Sequence, residues 1–108
     1  MSSQKVRVLV PLANGFEEIE AITPIDIFRR AGWDVVVAGV GGLEIEGAHG
    51  IKVCCDTLID EVGVDFKAIV LPGGGLGSKN LAESWAINEK MLLIANSGGL
   101  IAAIRAAP

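Results

Sequence analysis

The stretch KVRVLVPLANGFEEIEAITPIDIFRRAGWDVVVA, Lys5–Ala38, decides the fold class. Lys5 to Leu12 alternates and then runs apolar, the pattern of a strand, and Ala13-Asn14-Gly15 is turn chemistry at its carboxyl end. Glu17, Glu18 and Glu20 follow at once. Carboxylates there suit the positive end of a helix dipole, so Glu17 and Glu18 read as helix-start charge. Arg29 and Arg30 complement the other end, and Gly32 ends the helix. Within it, Thr23-Pro24-Ile25-Asp26 has the form of a second helix start, with Thr as N-cap and Pro at the first helical position, which predicts a break or kink at Thr23. Trp33 to Ala38 is a buried, β-branched strand. Strand, helix and strand in so short a span make a right-handed βαβ unit and therefore a parallel sheet.

Outward from that unit, glycines at 39, 41, 42, 47 and 50 punctuate short pieces, of which Leu43–Glu46 and Ile51–Cys54 can pair as an excursion outside the main sheet. The single histidine, His49, falls in this loop with no carboxylate or thiol at ligand spacing beside it. It reads as a solvated loop residue rather than a base or a metal ligand. Asp56–Glu61 suits a short helical connector, and Ala68–Leu71 a third buried strand. That strand runs into Pro72-Gly73-Gly74-Gly75-Leu76-Gly77-Ser78-Lys79-Asn80, whose glycines let backbone N–H groups approach a ligand as an anion cradle or oxyanion hole does. Lys79 follows Ser78 rather than preceding it, and no G-x-G-x-x-G follows the first strand, so a nucleotide-binding reading fails on detail. Ser84 caps a helix over Trp85–Ala95. The final stretch, Gly98 to Pro108, holds five apolar residues, Leu100–Ile104, behind a glycine pair and reads as a strand buried on both faces in the middle of the sheet. Arg105 follows at its carboxyl end, where open α/β sheets place their ligands.

Composition narrows the function classes. A chain of 108 residues allows one domain, 1–108, and its 51% hydrophobic content with a mean hydropathy of +0.52 excludes disorder and favours a sheet covered on both faces or a subunit contact. The net charge of −4, without a basic run, argues against nucleic acid or anionic lipid as a partner. The amino terminus lacks the order of a signal peptide and no apolar run has membrane-spanning length, so the expected location is cytoplasmic. Cys54 and Cys55 are adjacent, and a disulfide between neighbours is badly strained, so both are expected as free thiols. Glu20 differs from the other two acids. It shares a face with apolar Phe16 and Ile27, so it can point into the crevice beside the first turn, partly desolvated and able to donate a proton or hydrogen bond.

Three motifs in order, G-F-E-E-I-E after the first strand, L-P-G-G-G-L-G after the third and G-L-I-A-A-I-x-A-x-P at the end, closely resemble the ThiJ/PfpI superfamily and within it the DJ-one branch, the parkinsonism-associated deglycase or glyoxalase III proteins. The resemblance runs from Lys5 to Pro108. It implies a flavodoxin-like doubly wound sandwich, a homodimer, and an active site without cofactor or metal on a nucleophile elbow. It also implies small reactive aldehydes such as methylglyoxal as substrates, with chaperone activity and oxidative-stress sensing as further roles. Carried over by position, Glu20 matches the family's proton-shuttling acid, Gly74 the glycine whose N–H helps bind the substrate oxygen, and Cys54 a secondary, non-catalytic thiol near the dimer contact.

The chain departs from that pattern twice. Arg105 stands where the family has its nucleophilic cysteine, and a guanidinium has no accessible deprotonated state with which to attack an aldehyde. Family members also continue well beyond Pro108, which makes this chain resemble an amino-terminal part that ends after the elbow strand, with an open strand edge and an uncovered apolar face, inactive as it stands. A complementary carboxyl-terminal chain is then as natural a partner as a second copy. Two functions follow: an impaired glyoxalase III or deglycase, or a non-enzymatic stress-response or chaperone-like interaction protein. In the second, Arg105 either pairs with Glu20 across the old pocket or projects into water.

Overall fold

The computed structural model describes residues 6–104, the side chain of Ser78 excepted, so Arg105 lies outside the described residues. The main sheet is built around β1 (Arg7–Leu12), which pairs in parallel with β2 (Asp34–Gly39) on one side and β6 (Ala68–Leu71) on the other. An outer strand, β5 (Thr57–Leu58), extends the sheet beyond β2, and β7 (Leu100–Ala103) extends it beyond β6, giving the order β5-β2-β1-β6-β7 with every pairing parallel. Between β2 and β5, β3 (Glu44–Glu46) and β4 (Lys52–Cys54) form a separate antiparallel hairpin, as the glycine spacing leads one to expect.

Strand alternation explains the two-sided core. Val8, Val10 and Leu12 of β1 point to one face with Val35, Val37 and Val70, where Ala21 and Ile25 of α1 (Glu18–Arg30) cover them. Leu9 points to the other with Ile69 and Leu71, under Leu81 of α2 (Gly75–Ala82) and Ile87 and Ile94 of α3 (Trp85–Asn96). Each fully buried aliphatic side chain contributes about 1.5–3 kcal/mol. Because the chain winds outward from β1 to β2 and β5 and then returns past β1 to β6, the helices after β1 and β6 lie on opposite faces of the sheet. The point where they part, at the carboxyl ends of β1 and β6, is where open α/β sheets place their ligand crevice.

Four local expectations are corrected. α1 is not broken at Thr23 but runs through it with Pro24 inside, and Ala21 and Ile25 on either side of the proline are both buried against the sheet. Thr57–Leu58 joins the sheet as β5, leaving only Ile59–Glu61 as a 3₁₀ turn. The glycine-rich segment is loop only as far as Gly74, and α2 begins at Gly75. Finally, β7 is not the centre of the sheet. Among the described residues it pairs with β6 alone, and although α3 approaches it, Leu100 and Ile101 remain 72% and 43% exposed.

Candidate functional site

The crevice is framed by two loops that interlock through backbone atoms. Glu17 N–H donates to the Gly73 carbonyl at 3.0 Å, and Gly77 N–H donates to the Gly15 carbonyl at 3.2 Å. Such close approach needs glycine. A Cβ on Gly74, whose φ is +105°, would sit 2.7 Å from the Gly15 carbonyl oxygen and 2.8 Å from the Glu17 nitrogen, and one on Gly77 would sit 2.6 Å from the Phe16 Cα. Gly74 caps α2 at its amino end, so the first N–H groups of that helix, which have no acceptor within the helix, begin at the crevice.

Glu20, on the first turn of α1, reaches this loop directly. Its Oε1 accepts a hydrogen bond from the Gly73 N–H at 3.1 Å, and the residue is half-buried. Thus the structure brings Glu20 beside Gly73-Gly74, two segments more than fifty residues apart in sequence. Arg105, the third candidate, lies outside the described residues, and neither an ion pair with Glu20 nor projection into water is described for it.

Cys54 lies elsewhere. It is exposed on β4 and lines a cleft with Ile22, Ile25 and Arg29 of α1, well along the helix from Glu20. Its neighbour Cys55 is buried, and burial, with the Asp56 carboxylate and Cys54 beside it, pushes its thiol up to about 11. Both thiols are free. Neither lines the crevice loops, and Cys55 is held in the protonated form.

The sequence missed one constellation altogether. His49 is not simply a solvated loop residue. Its Nδ1 lies 2.8 Å from Oε1 of Glu18, and its backbone N–H donates to Oε2 of the same carboxylate at 2.8 Å. The Ile51 N–H adds a third contact at 3.3 Å. Glu18 is buried, and a Cβ on Gly47 would run into its carboxylate, so the hairpin loop is wrapped around that group. Burial works to raise the Glu18 carboxyl, but hydrogen bonds from the His49 ring and N–H, with help from its own N–H and that of Ile51, outweigh it and hold it at about 2. The same hydrogen bond, with the charges of Glu18 and Glu17, raises the His49 imidazole above its usual value. Glu18 is therefore a fastening for the β3–β4 loop as well as helix-start charge. No spacing in the sequence marks this pair, since the loop that delivers His49 is fixed only by the fold.

Parallel strands with helices on both faces and a site where β1 and β6 part define the flavodoxin-like class of α/β proteins. Residues 6–108 match the family model described as DJ-1/PfpI, and the chain belongs to the DJ-1/PfpI family. It is 41% identical over 105 residues to the Parkinson disease protein 7 homolog of Danio rerio, covering 94% of this chain and 56% of that one. A protein of Thermococcus kodakarensis named as a deglycase is 39% identical over 90 residues, covering 82% of this chain and 51% of its own length. Among solved structures, Drosophila melanogaster DJ-1beta superposes with a TM-score of 0.93 at 40% identity, over 97% of this chain and 57% of that one. The chain thus spans about half the length of these relatives. Among the described residues no helix is long and apolar enough to cross a membrane.

Proposed function

We propose that this chain supplies the acid and the oxyanion cradle of a site for small reactive aldehydes, of the glyoxalase III or deglycase kind, and that Arg105 leaves it without a nucleophile. The observation that supports this most is the Glu20–Gly73 hydrogen bond, which sets a carboxyl group beside the glycine loop at the amino end of α2. The name of the archaeal relative, a deglycase, supports the same chemistry. With a thiolate at position 105, sulfur adds to the aldehyde carbon of methylglyoxal and the carbonyl electron pair moves to oxygen, where N–H groups around Gly74 hold it. Glu20 then takes the proton from the former aldehyde carbon and returns one to the neighbouring carbon through an enediol, leaving a thioester that water cleaves to lactate and free thiol. Arginine cannot begin this sequence.

The test compares the chain as it stands with an Arg105→Cys variant, each completed by the carboxyl-terminal segment of the zebrafish relative, with lactate formed from methylglyoxal as the readout. Turnover only in the cysteine form supports the reading. Equal turnover in both contradicts it. A second copy of the chain is the partner proposed for the face of α1 bearing Ile22, which is 40% exposed and lines a cleft with Cys54. Sedimentation of the completed protein as a monomer would reject it.

A further inference from the structure

A second constellation adjoins the frame of Glu20 and Gly73, sharing with it Glu17, whose backbone N–H meets Gly73, but turning away from Glu20 through side chains. Glu17, Glu18 and His49 each offer one donor atom, and these three atoms lie within 4.8 Å of one another. His49 Nδ1 is 2.8 Å from Glu18 Oε1 and 3.7 Å from Glu17 Oε2. Two ligands of a tetrahedral zinc ion, each about 2.0–2.1 Å from the metal, stand about 3.3 Å apart, so these separations bracket the required edge. The third pair, between the two carboxylates, lies within 4.8 Å and closes on that edge by rotation of the Glu17 side chain.

The surroundings favour a cation over simple ion pairing. One oxygen of Glu17 is committed to capping α1 through the Ile19 N–H at 2.8 Å, which orients the other, Oε2, toward His49. Glu18 is likewise fixed by the backbone N–H groups of His49 and Ile51 on Oε2, leaving Oε1 turned to the imidazole. Both carboxylates are therefore oriented in advance by contacts that binding need not break. A proton is what now joins Nδ1 to Oε1, and a cation would take its place between them. Two carboxylates and a neutral imidazole balance a doubly charged ion. A cavity of about 290 Å³, lined by these three residues with Ile19 and Ile51, opens over the donors and leaves room for water in the remaining coordination position.

We propose that Glu17, Glu18 and His49 form a binding site for a divalent first-row transition cation, zinc foremost, which clamps the β3–β4 loop to the start of α1. The mixed nitrogen and oxygen donors select this class over calcium or magnesium, which take oxygen ligands in larger number. The site needs neither Glu20 nor position 105 and stands apart from the aldehyde reading.

The experiment uses tag-free, metal-stripped protein in a Cys54→Ser background, because the exposed thiol would otherwise compete for metal. Zinc chloride is titrated calorimetrically, and cobalt(II) is added separately for its visible absorption. The expected result is one ion per chain and a cobalt spectrum of tetrahedral or five-coordinate type. His49→Ala and Glu17→Gln should each weaken zinc at least about tenfold, with circular dichroism unchanged. Absence of binding in the parent overturns the proposal. So does zinc affinity that is the same in His49→Ala, since His49 is the only imidazole in the chain.

Discussion

Oε1 of Glu20 accepts a hydrogen bond from the backbone N–H of Gly73 at 3.1 Å. This contact joins the helix after β1 to the loop after β6 at the point where the sheet changes its direction of winding. It needs the glycine loop to pass within bonding distance of residues 15–17, a passage that leaves no room for a Cβ at Gly74 or Gly77.

Gly74→Ala should be among the more damaging single substitutions in the chain. Its φ of +105° strains any L side chain, and the new methyl group would meet the Gly15 carbonyl oxygen. A loss of at least about 2 kcal/mol is expected from the strained backbone and the contact together. Its neighbour provides the control. A Cβ on Gly75 meets nothing within 4 Å and the residue begins α2, so Gly75→Ala should be neutral or stabilise by about 0.4–1 kcal/mol. Urea denaturation of the two variants reads the difference.

Stability should respond to pH on both sides through the Glu18–His49 pair. The folded protein holds Glu18 at about 2, below its ordinary 4.5, so its contribution is complete above 4.5 and is lost as pH falls toward 2. The His49 imidazole is raised above its ordinary 6.5, so its contribution is complete below 6.5 and is lost as pH rises through the elevated value. Denaturation midpoints measured with EDTA present should therefore show a neutral-to-alkaline decline that His49→Ala removes, while the acid limb of that variant becomes shallower. An unchanged alkaline limb in His49→Ala would contradict this assignment.

The two thiols should separate kinetically. Cys54 is exposed on β4, whereas Cys55 is buried with its thiol pushed up to about 11. A chromogenic disulfide reagent at neutral pH should titrate one thiol quickly in the folded chain and the second only when denaturant is added. Two equally fast thiols would show that the β4–β5 connection opens readily.

Much of this architecture is legible in the residues themselves, and what is not has a common cause. β1, β2, β6 and α3 are marked by local signals, namely apolar runs rich in Val and Ile and a serine whose side chain accepts from Ile87 N–H. α2 is hidden because Gly75 and Gly77 are poor helix formers, and its first turn is fixed instead by the Gly77–Gly15 hydrogen bond from another loop. α1 shows the reverse case, in which a local capping signal at Thr23 yields to burial of Ala21 and Ile25. Leu100–Ile104 is apolar enough for a central strand, yet apolarity records the need for cover and not its presence. Glu18 and His49, 31 residues apart, meet only because the hairpin folds back over α1. Helix spacing already sets Glu20 apart from the neighbouring acids, family resemblance singles out Gly74, and the geometry adds which atoms meet.

The central claim is that Glu20 and the Gly73-Gly74 loop form the proton-shuttling and oxyanion-binding frame of an aldehyde site whose nucleophile is missing at Arg105. Its most direct test is lactate formation from methylglyoxal by the completed Arg105→Cys protein, with and without Glu20→Gln. The account predicts turnover in the single variant and a fall of about 10²-fold or more when Glu20 is also changed. Turnover that survives Glu20→Gln undiminished would contradict it.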